Sequence, residues 1–208
     1  MNPLCSRVSQ AGLKLILGSQ SPRRRQLLES AGFDFEVVKP AEMAEQNVPE
    51  HLSPAELVVE LAYRKAADVA GRVDGALVIG CDTVAECDGR ILGKPADEED
   101  ARRMLGKLSG RRHRVLSGLC LWPVGGAGSV AGNGPVQRIE VTSLDMDHLS
   151  DTQLEEYLAS GQWRGKAGSF GYQDELGWVH VVEGSESNVV GLPMELLESM
   201  ILEMFPGG

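Results

Sequence analysis

This chain has few cysteines, and their arrangement excludes several kinds of site. The four are Cys5, Cys81, Cys87 and Cys120. Their spacing matches neither a zinc-binding motif nor a Cys-x-x-Cys redox pair. Since Cys81 and Cys120 lie inside apolar runs, we expect them to act as small core residues. The absence of a disulfide framework predicts reduced thiols and a cytoplasmic location.

Long apolar segments are also missing. No stretch approaches the ~20 apolar residues of a membrane-spanning helix, so no contact with a membrane is expected. Residues 1–12 lack the apolar region of a signal peptide. We therefore predict that residues 1–12 form a loose N-terminal extension and that residues 13–208 form a single domain.

Positive charge is scarce as well. The formal net charge is −10, which disfavours a long polyanion such as a nucleic acid as the partner of the whole surface. Any phosphate recognition must therefore be local. The candidate segments are the basic runs at residues 23–25 and 111–114, although such runs are most often solvated faces.

The remaining pattern is that of a globular domain with interleaved strands and helices, which predicts an α/β or mixed α+β fold. The predicted strands are residues 13–17, 35–39, 76–84, 113–121, 137–144 and 178–182. Helices are predicted from residue 22, over residues 53–70, from residue 97, from residue 150 and from residue 193. The glycine-rich residues 122–135 are predicted as a long hairpin connection between two strands.

The first of these strand-to-helix junctions has an unusual charge. A short apolar strand leads into Gly18–Ser21, where Ser21 suits an N-cap and Pro22 the first helical position. Arg23 and Arg24 then stand at the positive end of the helix dipole, where cations are unfavourable. A bound anion would remove that penalty, so the segment is compatible with a phosphate cradle and also with a solvated basic helix start.

Three further polar residues occupy positions where a core is expected. Lys65 lies on the apolar stripe of the helix over residues 53–70, and it either reaches water or faces an anion. Asp82 ends the most apolar strand, where it either caps the next turn or meets a cation, a metal or a donor. A hairpin turn at Asp88-Gly89 would bring Lys94 back beside Asp82.

A glycine-rich segment over residues 165–173 resembles a ligand-binding loop, because small residues let a backbone approach a ligand closely. Gln173 offers a donor and an acceptor and could read the edge of a base. A glycine-rich loop without a ligand is the other interpretation.

Taken together, these motifs resemble the Maf family of nucleotide pyrophosphatases over roughly residues 13–205. The motifs are Ser19-x-Ser21-Pro22-Arg23-Arg24, Gly80-x-Asp82-Thr83, Gly93-Lys94-Pro95, Leu108-Ser109-Gly110, Lys166-Ala167-Gly168 with Gly171-x-Gln173, and Asn188–Pro193. The resemblance implies a two-lobed fold similar to that of inosine triphosphate pyrophosphatase, with a mixed twisted sheet, flanking helices and a central cleft. It also implies hydrolysis of a nucleoside triphosphate to the monophosphate and pyrophosphate, and a homodimer.

The resemblance assigns roles by matching position. Asp82 would be the catalytic carboxylate, and Lys65 and Lys94 would act with it by neutralising charge on the triphosphate. The residues implied to bind substrate are Ser19, Ser21, Arg23, Arg24, Thr83 and Gln173. The implied cofactor is Mg²⁺ or Mn²⁺ on Asp82 and Glu45. The family often has adjacent acidic residues near Glu45, whereas here Glu42 and Glu45 are separated.

The family divides by base preference, and Arg23, Thr83 and Gln173 match its dTTP/UTP branch. Tyr172 and the pair Ser169-Phe170 depart from that branch. A 7-methyl-GTP or broad-specificity pyrophosphatase is therefore the first alternative. The second is a nucleotide-binding regulator of cell division without turnover, and a sugar nucleotidyltransferase is disfavoured by the absence of an N-terminal Gly-x-Gly.

Overall fold

A computed structural model describes residues 2–49, 51–125, 134–174 and 176–206. The helices are α1 (Pro3–Gln10), α2 (Pro22–Ser30), α3 (Pro54–Ala70), α4 (Glu98–Leu108), α5 (Asp151–Ser160), α6 (Glu186–Val190) and α7 (Met194–Met204). The strands are β1 (Lys14–Gly18), β2 (Glu36–Val37), β3 (Ala76–Cys87), β4 (Arg90–Leu92), β5 (Arg112–Val124), β6 (Val136–Met146) and β7 (Val179–Glu183).

These strands form one mixed sheet of order β2-β1-β3-β5-β6-β7, with β4 paired to β3. The pairs β1–β2 and β1–β3 are parallel, and the others are antiparallel. Helix α3 packs on one face through Ala62, Ala66 and Val69. Helices α1, α2 and α7 cover the other face. The predicted mixed sheet with flanking helices is therefore confirmed.

A second core lies at the far end of the long strands, where α4 packs on the later part of β3 and the early part of β5. The two cores share these strands, as expected for two lobes joined by a central sheet. Residues 126–133 of the predicted hairpin connection lie outside the described residues, but its flanking strands β5 and β6 do pair antiparallel, with Leu121 opposite Val136. No helix in the described ranges combines the length and the apolar character needed to cross a membrane.

The capping residues in the sequence predicted several helix ends correctly. Ser53 and Ser150 both form capping boxes, with Glu56 and Gln153 respectively, and Asp97 caps α4. Gly161 ends α5 in the left-handed conformation at φ 68°, which glycine adopts without steric cost.

The prediction of a loose segment over residues 1–12 is wrong for α1. Asn2 caps this helix, and its residues Leu4, Cys5 and Val8 are buried in the main core. The helix was missed because its stripe has only a few apolar residues, which tertiary packing rather than propensity stabilises. The domain boundary at residue 12 stays a prediction.

Helix α3 approaches the sheet unusually closely. A Cβ at Gly80 in β3 would clash with the Ala62 carbonyl, and one at Gly118 in β5 would clash with the Val58 carbonyl. These two glycines therefore allow backbone-to-backbone packing, since every other residue carries a Cβ. The contact brings the middle of α3 over the middle of β3, where Asp82 lies. The prediction that Asp82 ends this strand is therefore wrong, because β3 continues to Cys87 through its pairing with β5 and β4.

Candidate active site

A cavity of about 890 Å³ opens between the two cores. Its size falls within the range of small-molecule sites in proteins. It is bounded by the β1–α2 turn, the 3₁₀ turn Glu42–Glu45, α3, β3, the loop after β4, the glycine-rich loop and α6. All the residues expected to bind substrate or catalyse line it, and they are Ser19, Ser21, Arg23, Arg24, Lys65, Asp82, Thr83, Lys94 and Gln173.

The β1–α2 turn directs the start of a helix at the cavity. Pro22 occupies the first turn of α2, as predicted, and Ser21 holds the N-cap position. The Ser21 side chain makes no capping hydrogen bond, and the Ser21 backbone N donates to Ser19 Oγ at 3.2 Å. The first N–H groups of α2 are thus left available for an anion.

Arg24 is buried, with 8% of its surface exposed, and its guanidinium is largely committed to the protein. Nε donates to the Gly191 carbonyl at 2.8 Å, and Nη1 donates to Ser19 Oγ at 3.2 Å and to the Cys81 carbonyl at 2.7 Å. Nη2 donates to Thr83 Oγ1 at 3.1 Å. Four of its five N–H groups are therefore used, which leaves at most one for a phosphate oxygen.

Arg23 differs from its neighbour. It is half-buried, and its one hydrogen bond within the described ranges is a 3.4 Å contact from Nη2 to the Gly165 carbonyl. Burial lowers the pKa of Arg23, and the charge of Arg24 lowers it further. Both effects disfavour a cation without a partner, so Arg23 is the guanidinium that an anionic ligand would stabilise.

Lys65 lies between two carboxylates at the floor of the cavity. Its Nζ is 2.6 Å from Asp82 Oδ1 and 2.7 Å from Glu45 Oε1. The Lys65 side chain is 8% exposed, Asp82 is 14% exposed and Glu45 is 61% exposed. The ammonium thus faces the two carboxylates and does not reach water along the helix surface, and its short contact with Asp82 holds that side chain in a fixed position.

Lys94 reaches the same region by the predicted hairpin. Asp88 and Gly89 form its turn with φ 52° and 75°, as a two-residue hairpin requires, and Cys87 pairs with Arg90. Within the described ranges, Lys94 has no hydrogen bond or ion pair. The hydrogen bond from Lys65 lowers the pKa of Glu45, and the charge of Lys94 lowers it further. Lys94 is thus close enough to act on the same ligand.

The two predicted base-selecting residues differ in availability. Thr83 Oγ1 lies 2.8 Å from Ser117 Oγ and 3.2 Å from the Gly191 carbonyl, besides accepting from Arg24. Its hydroxyl is therefore part of the network that holds Arg24. Gln173 is exposed at the cavity edge, and its side chain has no hydrogen-bond partner within the described ranges. Its role as a base reader stays a prediction.

The glycine-rich loop contains an ion pair that was not predicted from the sequence, and this pair joins the two sides of the loop. Lys166 Nζ contacts both carboxylate oxygens of Asp174 at 2.6 and 2.5 Å, and Tyr157 donates to the same carboxylate at 2.8 Å. Both charged side chains are about nine-tenths buried. The pair closes the loop on either side of Gly171, where a Cβ would approach Lys166 Nζ within 2.6 Å. The only sequence signal was that Lys166 and Asp174 flank the glycines.

The acidic groups fit a divalent cation that a substrate helps to bind. Within the described ranges no three His, Cys, Asp or Glu side chains form a metal-binding group. Mg²⁺, however, commonly uses one or two carboxylates together with substrate phosphates. Asp82 and Glu45 contact the same Lys65 nitrogen, whereas Glu42 pairs with Lys39 at 3.8 Å and is 83% exposed. The geometry therefore favours Glu45 over Glu42 as the second carboxylate.

Comparisons with known proteins identify the family of this chain. Residues 14–204 match the family described as Maf-like protein, and the chain belongs to that family. A dTTP/UTP pyrophosphatase from Rhodopirellula baltica is 49% identical over 90% of this chain and 80% of its own length. The dTTP/UTP pyrophosphatases of Symbiobacterium thermophilum and Pyrococcus furiosus are 41% and 38% identical, over 94% and 90% of this chain and 98% and 94% of theirs.

Among solved structures, a HAM1 protein from Coxiella burnetii is similar with a TM-score of 0.49 and 18% identity, over 92% of this chain and 99% of that one.

Proposed function

We propose that this protein hydrolyses nucleoside triphosphates, with dTTP and UTP as its preferred substrates, to the monophosphate and pyrophosphate. The observation that carries the proposal is the cationic rim of the cavity around Asp82. Arg23, Lys94 and the start of α2 line the same cavity as Asp82, whose carboxylate is 2.6 Å from the Lys65 ammonium. The relatives named dTTP/UTP pyrophosphatase support the choice of substrate.

In this mechanism the triphosphate lies across the β1–α2 turn. The free N–H groups of α2 and the Arg23 guanidinium bind its oxygens, and Arg24 keeps the turn in place. Lys94, which lines the same cavity near Glu45, neutralises further charge on the triphosphate. Such fixed donors act mainly by positioning and by stabilising charge that develops in the transition state.

Asp82 then orients a water molecule and accepts its proton. The water oxygen bonds to the α-phosphorus as the bond from that phosphorus to the α–β bridging oxygen breaks, and pyrophosphate leaves with the bond's electron pair. The proton passes from Asp82 to solvent. Lys65 keeps the Asp82 carboxylate in position for this step, because its ammonium lies 2.6 Å away.

A divalent cation, when bound by Asp82, Glu45 and the phosphate oxygens, supplies further charge neutralisation for the leaving pyrophosphate. The proposal names Mg²⁺ or Mn²⁺ for this role. The homodimer stays a prediction. The cytosolic location also stays a prediction, and four buried free thiols agree with a reducing compartment.

A substrate panel tests the proposal. The purified protein is incubated with dTTP, UTP, CTP, GTP and 7-methyl-GTP in Mg²⁺ or Mn²⁺, and pyrophosphate and orthophosphate are measured separately. We expect pyrophosphate from dTTP and UTP, and none after chelation with EDTA.

Two other outcomes of these measurements would change the proposed function. Pyrophosphate mainly from 7-methyl-GTP would retain the catalytic assignment and overturn the choice of base. Calorimetric binding of dTTP without any product would instead favour the nucleotide-binding regulator.

A further inference from the structure

The side chain of Gln173 is available to a ligand, whereas both of its neighbours in the chain are held by the protein. Gln173 lines the cavity, is exposed and has no side-chain hydrogen-bond partner within the described residues. On one side of it, the Tyr172 hydroxyl donates to Glu186 Oε1 at the start of α6 at 2.8 Å. On the other side, the Asp174 carboxylate accepts three hydrogen bonds from buried side chains. The backbone that carries Gln173 is therefore anchored on both sides.

The anchor at Asp174 is a buried ion pair. Lys166 Nζ contacts its two carboxylate oxygens at 2.6 and 2.5 Å, and the Tyr157 hydroxyl donates to one of them at 2.8 Å. The Lys166 side chain is 11% exposed and that of Asp174 is 9% exposed. Hydrogen bonds between charged groups are short and strong, and removal of one partner of a buried pair is costly. This anchor is therefore the firmer of the two.

The ion pair lies directly beneath the turn that contains Gln173. The Asp174 backbone N donates to the Gly171 carbonyl at 3.0 Å. A Cβ at Gly171 would be 2.6 Å from Lys166 Nζ and 2.9 Å from Asp174 Oδ1, so the glycine leaves room for the pair. Among the described residues, Gln173 lines the cavity and Asp174 does not. Asp174 can therefore act on a ligand through the backbone of Gln173 but not by contact.

We infer that Asp174 and Lys166 are positioning residues, which hold Gln173 where its amide meets the base of the substrate. The inference rests on the proposed pyrimidine nucleotide substrate and on the predicted role of Gln173. The amide has two donors and one acceptor that can pair with the N3–H and carbonyl groups of uracil or thymine. A glutamine on a fixed backbone loses less conformational freedom on binding than one on a loose loop, so the anchor strengthens base recognition.

The test uses UMP and ribose 5-phosphate, which carries a hydroxyl in place of the base. Neither ligand has an anhydride bond, so calorimetry measures Kd without turnover. The ratio of the two Kd values reports the contribution of the base, because both ligands carry the same 5′-phosphate. The charge of Asp174 also raises the pKa of Arg23. Any effect of that charge on phosphate binding applies to both ligands and cancels in the ratio.

Five variants are compared with the wild type. Asp174→Ala removes the anchor and Gln173→Ala removes the amide, and the two are made singly and together. Asp174→Asn keeps an acceptor for the same donors, whereas Tyr157→Phe removes one hydrogen bond and leaves the ion pair in place. Tyr63→Phe is the matched control, because Tyr63 packs on Trp122 and is not among the described residues that line the cavity.

We expect the wild type to bind UMP at least about tenfold more tightly than ribose 5-phosphate. Gln173→Ala and Asp174→Ala should each reduce this ratio by about fivefold to tenfold, and the double variant should have the same ratio as Gln173→Ala. Asp174→Asn should recover part of the loss. Tyr157→Phe should reduce the ratio by about twofold to threefold, and Tyr63→Phe should leave it unchanged.

Three results would overturn the inference. The first is a wild-type ratio in a folded Asp174→Ala variant or, where that variant does not fold, in Tyr157→Phe. The second is an equal loss from Asp174→Ala with and without Gln173, since the anchor would then act by another route. The third is a wild type that binds UMP no more tightly than ribose 5-phosphate. Pyrophosphate release from UTP, measured in parallel, tests the proposed function separately, because binding of UMP does not depend on hydrolysis.

Discussion

Two parts of the cavity lining differ in how far the protein satisfies its own polar groups. At the charged end, Arg24 donates four hydrogen bonds and Lys65 contacts two carboxylates. At the glycine-rich edge, the exposed side chain of Gln173 has no hydrogen-bond partner within the described residues. The charged end is thus organised before a ligand arrives, as electrostatic catalysis requires, whereas Gln173 keeps its donor and acceptor for a ligand or water.

The same contrast holds between neighbours in the sequence. Arg23 and Arg24 are adjacent, yet one keeps most of its donors for a ligand and the other uses nearly all of its donors to join the β1–α2 turn, β3 and Gly191. At the charged end of the cavity, Arg23 is therefore available to bind a ligand, whereas Arg24 holds the surrounding segments in place.

The largest effect is expected at Asp82. The Asp82→Asn variant should release pyrophosphate about 10²–10⁴-fold more slowly, because the amide cannot accept the proton of the attacking water. The fold should remain intact, since Lys65 keeps its contact with Glu45. Turnover and thermal unfolding are measured on the same sample.

Glu42→Gln serves as the control for this variant, because Glu42 lines the cavity without contacting Lys65. Its turnover should stay within a few fold of the wild type. An Asp82→Asn enzyme that turns over at the wild-type rate would remove Asp82 from the mechanism.

The next largest effect is a difference in stability and kinetics between variants of Arg24 and Arg23. Arg24→Ala should lower the free energy of unfolding by about 3 kcal/mol, because several buried acceptors lose their donor, and it should also weaken substrate binding and rate. Arg23→Ala should change that free energy by no more than about 0.5 kcal/mol while raising KM by about tenfold. Urea denaturation and steady-state kinetics measure both quantities. Equal stability losses for the two variants would contradict the division of roles.

The smallest effect concerns the buried His113 and pH. Because burial lowers the pKa of His113 in the folded state, the unfolded chain takes up the proton first as the pH falls below about 6.5. His113 therefore lowers the stability as the pH falls through this range, by at most about 1.4 kcal/mol per pH unit. A hydrogen bond with the Arg111 backbone and the charges of Asp145 and Glu86 reduce the shift of the pKa without reversing it.

Denaturation of the wild type and of His113→Phe at pH 7.5 and 5.5 measures the pH-dependent contribution of His113 to the free energy of unfolding. The wild type should lose more stability than the variant between the two values. Equal losses in both proteins would mean that His113 carries the same charge in the folded and unfolded states.

Some features could be predicted from short segments. The capping boxes at Ser53 and Ser150 and the turn at Asp88-Gly89 depend on residues within four positions of each other. The prediction of a paired strand after that turn is confirmed by β4. Ser21 takes the predicted N-cap position of α2, although its side chain makes no capping hydrogen bond.

The sequence by itself determined the alternation of strands and helices, the family, and which polar residues stand out from apolar surroundings, because these depend on the order of residue types along the chain. Only the tertiary structure decided which of those residues are free to bind. Thr83 is committed to Ser117 and Lys166 is neutralised by Asp174, whereas Arg23 keeps most of its donors for a ligand. Burial and pairing are set by contacts between distant segments, and no local pattern records them.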